Sequence, residues 1–447
     1  MLTIDDARNR AQDMVALALK SGADAADVVV QADESTDVSV RLGKLEDVGR
    51  SENAELSLRV FCGRRHASVG TSDFAAGALA ALAERAVAMA RAAPEDEWAG
   101  LAPAERLMHG APPQLDLDDG GGADPQALKE RALAAKDAAR AVPGVSNSEG
   151  GGASAGRSVM ALATSHGFVG GYAVSMHGVH ASVLAGSGGA MERDYAHHAA
   201  RHLRHLEAPE TVGRRAGERA VARLNPRRLD SGPMPVVFDP RVGNSLLGHL
   251  LGAIAGQAIT RKTSFLQDAL GTAVFGSAVS IHDDPHRPHG LRSRPFDGEG
   301  LPVGPVAIVS GGMLETWLLD SASARQLGLA PTGHAARGGG GVGVMSSNLY
   351  MAPGVIPPQT LIAGVNETLY ITELIGMGVN GVTGDYSRGA AGFLIRHGEI
   401  VGPVSEFTIA GNLKDMFRAL TPANDLDFRY GINAPTLLVE GMTVASG

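Results

Sequence analysis

Residues 376–417 read GMGVNGVTGDYSRGAAGFLIRHGEIVGPVSEFTIAGNLKDMF, and this stretch predicts a β-hairpin followed by a helix. The apolar run 393–395 precedes a tight reversal at Gly398, because glycine supplies the positive φ that such a turn needs. Asn412 can cap a helix over 413–420, since its side-chain oxygen can accept a free backbone N–H. We therefore expect a hairpin and a helix that position a polar, glycine-rich segment next to a ligand or another polypeptide segment.

The composition is that of a large globular protein with an acidic balance. The 447 residues are 44% hydrophobic and 19% charged, and this length favours about three domains. A net charge of −9 argues against a nucleic-acid partner. The first ten residues hold two Asp and two Arg, and no apolar run approaches the ~18 residues of a membrane span, so we predict a soluble, cytoplasmic protein without a membrane partner. Cys62 is the single cysteine, which excludes an intrachain disulfide and a zinc site built from several thiolates.

Helix and strand periodicity divides the chain into three regions. Residues 1–110 show a helix, a group of strands and a second helix, and residues 111–230 repeat that order. Residues 231–447 are glycine-rich with short apolar runs, which indicates a β-dominated domain. We predict an α+β fold, with two helix-strands-helix α/β units at the N-terminal side and a β-dominated C-terminal domain.

Two glycine-rich stretches are interpreted as loops. The first, GGGASAG at 150–156, resembles a phosphate loop only in its glycine content, because it lacks the Gly-Lys-Ser/Thr ending. The second, AARGGGGVGV at 335–344, contains no GxGxxG before a helix and is expected to be a mobile loop.

Two groups of histidines contain residue types that bind metals. His198, His202 and His205 are spaced to share one helical face, and helical histidine pairs can bind zinc. Neighbouring arginines oppose a cation there, so a solvated helix is the favoured interpretation. Residues 282–289 hold three His and two Asp among prolines, and an ordinary surface turn is favoured for them.

The polar cluster inside the opening stretch is the candidate substrate-binding or interface segment. Its candidate side chains are Thr383, Asp385, Tyr386, Ser387 and Arg388. A serine nucleophile needs a general base, and no histidine is close to Ser387 in sequence. An independent hydrolase that uses Ser387 or the 282–289 group stays open as an alternative.

Six segments spread over nearly the full length carry a family pattern. They are RVFCGRRHASVGTSDF (59–74), NSEGGGASAGRS (147–158), MERDY (191–195), LLGHLLGAIAGQAITRKTSFL (246–266), RPFDGEG (294–300) and the opening stretch. With these segments the chain resembles the TldD/PmbA family, the modulators of DNA gyrase, and within it the PmbA/TldE branch.

This resemblance implies a role in a two-subunit metallopeptidase that acts on unfolded peptides in the cytoplasm. In the TldD branch, a His-Glu-x-x-x-His motif on a helix supplies two metal ligands and a general base. Here His249 is kept, whereas Leu250 and Ile254 occupy the glutamate and second histidine positions. Leucine cannot accept a proton and isoleucine has no lone pair, so no catalytic residue, metal or cofactor is expected in this chain.

The resemblance therefore predicts a non-catalytic PmbA/TldE-type subunit that pairs with a zinc-bearing TldD-type protein and completes its substrate chamber. The segment 383–392 would bind peptide backbone or stabilise the interface. Self-association as a homodimer in the absence of the partner stays open. A gyrase-binding modulator without a proteolytic role is the further alternative.

Overall fold

The computed structural model describes residues 1–41, 43–338 and 341–446. The fold class is α+β, as predicted. The helices are α1 (Ile4–Lys20), α2 (Ala76–Ala92), α3 (Pro125–Arg140), α4 (Pro209–Ala222), α5 (Pro240–Ala253), α6 (Gly256–Thr260), α7 (Ser321–Leu327), α8 (Pro358–Ala363) and α9 (Leu413–Arg418). The strands are β1 (Ala25–Arg41), β2 (Lys44–Cys62), β3 (Arg65–Thr71), β4 (Val145–Thr164), β5 (Val169–Ala185), β6 (Glu192–Ala200), β7 (Gly232–Phe238), β8 (Ile281–Asp284), β9 (Val306–Ser310), β10 (Met313–Leu314), β11 (Ala335–Gly338), β12 (Gly341–Val344), β13 (Asn348–Met351), β14 (Glu367–Ile375), β15 (Asp385–Arg396), β16 (Glu399–Asn412), β17 (Leu420–Pro422), β18 (Ile432–Asn433) and β19 (Leu437–Ser446). Over these residues, no helix combines the length and apolar character needed to cross a membrane.

One six-stranded sheet spans both N-terminal units, in the order β3-β2-β1-β4-β5-β6. Strand β1 of the first unit pairs antiparallel with β4 of the second unit over residues 27–40 and 151–164. Val28 and Val30 on one face of β1 are fully buried in a cluster with α1 and α2. The second unit packs α3 and α4 on β5 in the same manner. The two predicted units are thus halves of a single sheet, and the boundaries 1–110, 111–230 and 231–447 stay predictions.

The glycine-rich residues 150–156 lie inside β4, so their interpretation as a loop is wrong. A Cβ at Gly151 would lie 2.8 Å from the carbonyl oxygen of Ala132 in α3. The missing side chain therefore lets α3 pack directly on the strand. Glycine in a strand often marks such a close backbone approach, which composition alone does not distinguish from a turn.

The predicted helix across His198 and His202 is also wrong, because residues 192–200 form the edge strand β6. Asp194 and Ala196 are buried while Tyr195 is exposed, which is the alternation of a strand that is buried on one face. His202 follows the end of β6, and His205 closes a short 3-10 turn. The histidine spacing fitted a helix only by coincidence.

The C-terminal region is β-dominated, as predicted. A six-stranded sheet has the order β16-β15-β14-β7-β19-β17, and a further pairing between β16 and β19 closes it into a barrel-like ring. A second, five-stranded sheet has the order β10-β9-β8-β13-β18. Strands β11 and β12 pair with each other over 335–338 and 341–344, so the loop expectation is wrong for these eight residues; residues 339–340 lie outside the described residues.

The hairpin and helix of the opening stretch are confirmed. Strands β15 and β16 pair antiparallel, and the reversal places His397 and Gly398 at positive φ of 50° and 82°. The Asn412 side chain accepts a hydrogen bond from the Lys414 backbone N–H and caps α9. This hairpin is the element that carries the candidate site residues.

Among the described residues, the contacts between the N-terminal sheet and the C-terminal region include an apolar cluster and a buried ionic group. Val29 and Leu162 on the sheet face opposite to the helices pack with Phe296. The buried Asp27 carboxylate accepts hydrogen bonds from the Nε of Arg59 at 2.8 Å and from the Nε of Arg337 at 2.9 Å. Burial raises the pKa of Asp27, but the two guanidinium groups outweigh this effect and hold it below its usual range. The buried carboxylate of the sheet is therefore hydrogen-bonded to one guanidinium from the sheet and one from the C-terminal region.

Candidate functional site

Helix α5 places the three motif positions in different environments. Asp239 caps the helix, and Leu250 and Ile254 are fully buried in the core of the C-terminal region. His249 lies on the partly exposed side of the helix. The two aliphatic side chains at the expected glutamate and second-histidine positions are therefore part of the core.

The donor set around His249 does not fit a metal ion. The Nε2 atom of His249 is buried and has no hydrogen-bond partner among the described residues. The nearest aromatic neighbour is Tyr386, with ring centroids 5.9 Å apart in an edge arrangement. Burial and the positive charge of Arg388 lower the pKa of His249, which keeps its ring neutral at neutral pH. A neutral imidazole could donate a lone pair, but Arg388 repels a cation, the expected second ligand position holds Ile254 and the expected general-base position holds Leu250.

A groove runs between α5 and the segment that leads into β15. Its lining is mostly apolar and includes Phe265, Met377 and Val379, while the polar exceptions are His249, Thr263 and Arg388. Such a lining suits an extended chain with apolar side chains more than a charged small molecule.

Strand alternation divides the predicted site residues between two faces of β15. Tyr386 is 1% exposed and packs beside His249, and Arg388 reaches the groove and donates a hydrogen bond to the carbonyl oxygen of Ile375 at 3.3 Å. Asp385 and Ser387 point the other way and are exposed. The structure therefore brings Tyr386 and Arg388 to the groove and leaves the other two outside it.

Thr383 and Asp385 are hydrogen-bonded to each other and support the local structure. The Thr383 hydroxyl donates to the Asp385 carboxylate at 2.6 Å, and the Asn412 amide donates to the same carboxylate at 3.1 Å. These two hydrogen bonds lower the pKa of Asp385. The three side chains fix the start of β15 against the end of β16.

The Ser387 hydroxyl makes no hydrogen bond to a histidine or carboxylate within the part of the chain that the structure describes. A serine hydrolase requires a nucleophile and base within about 2.6–3.2 Å, although this distance loosens in unliganded enzymes. The geometry thus offers no support for a serine centre at this position.

The residues of the second histidine group separate from one another. His282 lies in β8 and packs on Tyr350, with ring centroids 5.4 Å apart. Asp283 is buried and accepts hydrogen bonds from the backbone and hydroxyl of Ser347. His289 turns away from both and joins His202 and His205 of the first group, so the turn interpretation holds only for the residues after β8.

The sequence did not single out an exposed apolar strip beside the groove. Ile375, Met377 and Val382 are 58%, 88% and 55% exposed. Large apolar side chains that cluster on a surface next to a groove are typical of a protein-binding site. Their apolar character between glycines was the only sequence signal.

Three parts of the chain match family models. Residues 26–90 match the PmbA/TldA metallopeptidase domain 1, residues 118–224 match the central domain, and residues 231–446 match the C-terminal domain. Metalloprotease PmbA of Escherichia coli O157:H7 is 39% identical over 433 residues, which are 96% of this chain and 94% of that protein. The Metalloprotease PmbA homolog of Haemophilus influenzae is 36% identical over 96% of this chain and 94% of its own length.

Solved structures show the same fold over the whole chain. A putative modulator of DNA gyrase from Bacteroides thetaiotaomicron has a TM-score of 0.92 at 27% identity and covers 100% of both chains. TldE from Thermococcus kodakarensis has a TM-score of 0.87 at 20% identity and covers 98% of this chain and 100% of its own, which supports the fold alone.

Proposed function

The chain belongs to the PmbA/TldD metallopeptidase family, and we propose that it serves there as a non-catalytic PmbA/TldE-type subunit. In this proposal it pairs with a zinc-bearing TldD-type protein in the cytoplasm and completes a chamber that receives unfolded peptides. The observation that carries the proposal is the full burial of Leu250 and Ile254 in the C-terminal core. These side chains supply neither a general base nor a metal ligand.

The groove beside His249 supports a role in holding peptide. Its apolar lining can accept side chains of an unfolded segment, and Arg388 can donate to backbone carbonyls or attract a carboxylate. Folded substrates would present few extended segments to such a groove. The substrate class of the proposal is therefore unfolded peptide.

The exposed apolar strip supports a partner contact. Ile375 is the last residue of β14, Met377 follows that strand and Val382 precedes β15; because Met377 also lines the groove, the strip lies at the groove's rim. A partner that covers this strip would bury apolar surface and enclose the groove at the same time.

The central experiment is co-purification with a TldD-type protein, followed by cleavage of an unfolded peptide. We expect this chain alone to show no cleavage, and the two proteins together to cleave in a chelator-sensitive way. Chelator-sensitive cleavage by this chain alone, or failure of the two proteins to associate, would refute the proposal. The mass of the isolated chain in solution shows at the same time whether it forms a homodimer.

A matched pair of variants tests the contact surface. Met377→Asp should weaken association with the TldD-type protein by about tenfold or more, because a charge would replace an apolar contact. Val355→Asp is the control, since Val355 is 91% exposed and lies outside the groove lining. Equal affinity of both variants for the partner would show that the strip is not the interface.

The two other candidates give different outcomes in the same assays. An independent hydrolase would cleave without the partner and lose activity on substitution of Ser387 or His286. A modulator that acts on gyrase would bind purified gyrase and leave the partner's peptide cleavage unchanged.

A further inference from the structure

Three chain segments that are far apart in sequence meet at one polar cluster on the surface. Asp116 lies in the segment before α3, His202 follows β6, and His289 lies in the turn after β8. One ligand atom from each lies within 4.8 Å of the other two. We call these three residues the Asp116 cluster.

The distances within the Asp116 cluster are those of atoms that could share a ligand. The Oδ2 atom of Asp116 lies 2.8 Å from the Nε2 of His289, and its Oδ1 atom lies 3.3 Å from the Nε2 of His202. A tetrahedral ion with bonds of about 2.0–2.1 Å holds neighbouring ligand atoms roughly 3.3–3.4 Å apart. An ion would displace the hydrogen bond between the Nε2 of His202 and the backbone carbonyl oxygen of Asp116 at 2.9 Å, and would move Asp116 Oδ2 and His289 Nε2 apart by about 0.5 Å.

A third imidazole stands next to the cluster. The His205 ring centroid lies 4.6 Å from that of His289 and 5.8 Å from that of His202. Its ring nitrogens lie outside the group of atoms within 4.8 Å of one another, so a rotation of the His205 side chain is needed to complete a set of three imidazole nitrogens and one carboxylate.

The backbone holds two of these residues in an uncommon conformation. Asp116 and His289 have positive φ of 48° and 54°. His202 is 5% exposed, so one donor is fixed in a buried position while Asp116 remains accessible from solvent. The site is therefore anchored on one side and open for entry on the other.

We propose that Asp116, His202 and His289, with His205 as a fourth ligand, bind a divalent transition-metal ion of the zinc class. Imidazole and carboxylate donors in this number favour zinc, cobalt and nickel over magnesium or calcium, which prefer oxygen ligands. Four protein ligands leave no open position, so the ion would be structural. It would join the segment before α3, the end of β6 and the C-terminal region.

Arg204 is the group that competes with a cation here. Its Nη2 lies 3.4 Å from Asp116 Oδ2, and its Nε donates to the Nε2 of His205 at 3.3 Å. The side chain is 63% exposed, so it can swing into water when an ion enters. Removal of this guanidinium should therefore increase the metal affinity of the cluster. If the cluster only forms hydrogen bonds and binds no ion, the removal would produce no metal binding.

The site is separate from the family motif on α5, and its test uses cobalt as a spectroscopic probe. Chelator-treated full-length protein is titrated with Co²⁺, and visible absorption typical of four-coordinate cobalt is recorded, with Zn²⁺ as competitor. We expect one ion per chain. His202→Ala and His289→Ala should each lower the affinity by at least about a hundredfold, since even outer-shell changes cost 10–100-fold.

Three further variants complete the experiment. His282→Ala and His249→Ala should leave the cobalt affinity unchanged, and Arg204→Ala should increase it. Circular dichroism of each metal-free variant confirms folding, and added zinc should raise the melting temperature of the wild type but not of His289→Ala.

The proposal is overturned if the wild type shows no four-coordinate cobalt spectrum, or if folded His289→Ala binds as tightly as the wild type. Loss of binding in His249→Ala would place the ion at the family motif instead. A lower affinity in Arg204→Ala would mean that the guanidinium supports the site and would contradict the proposed geometry.

Discussion

Glu207 joins the central part of the chain to the C-terminal region through two arginines. It accepts hydrogen bonds from Arg215 in α4 at 2.9 and 3.1 Å, and from Arg429 at 2.8 Å. Burial alone would raise the pKa of Glu207, but the two guanidinium groups outweigh it and lower the pKa to about 2. A carboxylate whose pKa is depressed by folding stabilises the folded state above its unfolded pKa, and this contribution is lost as the pH falls through the folded pKa.

Glu207→Gln should therefore lower the free energy of unfolding at pH 7 by about 1–3 kcal/mol, since the side chain is partly exposed and its charges are partly screened. The difference from the wild type should shrink as the pH falls from about 4.5 towards 2. Urea unfolding at several pH values measures this. Glu218→Gln, at an exposed position of α4, should change stability by less than about 0.5 kcal/mol. A pH-independent difference for Glu207→Gln would contradict the assigned pKa.

At the residue scale, the sequence showed which residue types occupy the expected motif positions, but it did not show which side chains lie next to one another in the fold. The aliphatic residues at the expected general-base and second-ligand positions, Leu250 and Ile254, are visible in the sequence, and so is the polar cluster at the start of β15. That Tyr386 and Arg388 face His249 could not be predicted, because the residues are far apart in the chain and the alternation of β15 decides which side chains face the groove.

The contact between α3 and α4 depends on small residues. A Cβ at Gly213 in α4 would lie 1.9 Å from the carbonyl oxygen of Ala135 in α3, which is closer than any real contact. Gly248 in α5 is the opposite case, since a Cβ there would meet nothing within 4 Å. Both glycines lie in α-helices, but Gly213 faces the backbone of a neighbouring helix and Gly248 faces open space.

Gly213→Ala should lower the free energy of unfolding by about 1–3 kcal/mol or more, because the helices must separate. Gly248→Ala should raise it by about 0.5–1 kcal/mol through better helix propensity. Thermal or denaturant unfolding of both variants checks this. Similar effects at the two positions would show that backbone propensity, and not the close approach, determines the result.

At the element scale, the long strands were the hardest to predict. Strand β1 is continuous for 17 residues, although Asp33, Glu34 and Ser35 interrupt its apolar pattern. Both neighbours of β1 supply backbone hydrogen bonds along this stretch, and these outweigh the weak local preference. Short apolar windows show where a strand is buried but do not show how far it extends.

The six-stranded sheet shared by the two N-terminal units determines which fragments of the chain can fold without an unpaired strand edge. Strand β1 pairs with β4 through 14 residue pairs, so the fragment 1–110 would present this edge without its partner. We expect this fragment to self-associate, because a long unpaired strand edge is a template for pairing. The fragment 1–230 keeps the whole sheet and should be less associated.

Light scattering after gel filtration distinguishes the two fragments at equal concentration. A monomeric 1–110 fragment with cooperative unfolding would show that the first unit does not need β4. Both fragments lack the C-terminal region, so both expose the face of the sheet that packs on Phe296 in the whole chain. A difference in self-association between them is therefore due to the edge of β1.

At the scale of the molecule, the α+β class and the β-dominated character of the C-terminal region followed from the sequence. The sharing of one sheet did not, since the pairing of β1 with β4 joins residues more than 100 positions apart. Periodicity describes the faces of an element and contains no information about which strand will lie beside it. The closure of the C-terminal sheet by β16 and β19 has the same cause.

The group formed by Asp27, Arg59 and Arg337 has a consequence for recombination between relatives. Two of its members lie in the first 60 residues and the third lies more than 270 positions later. A chimera that crosses over between these positions would inherit the carboxylate from one parent and one guanidinium from the other. If the second parent has a neutral residue at the last position, the hybrid has lost one of the two guanidinium groups that donate hydrogen bonds to the buried carboxylate. Exchange of whole C-terminal regions is thus restricted to parents that agree at a position far from the crossover.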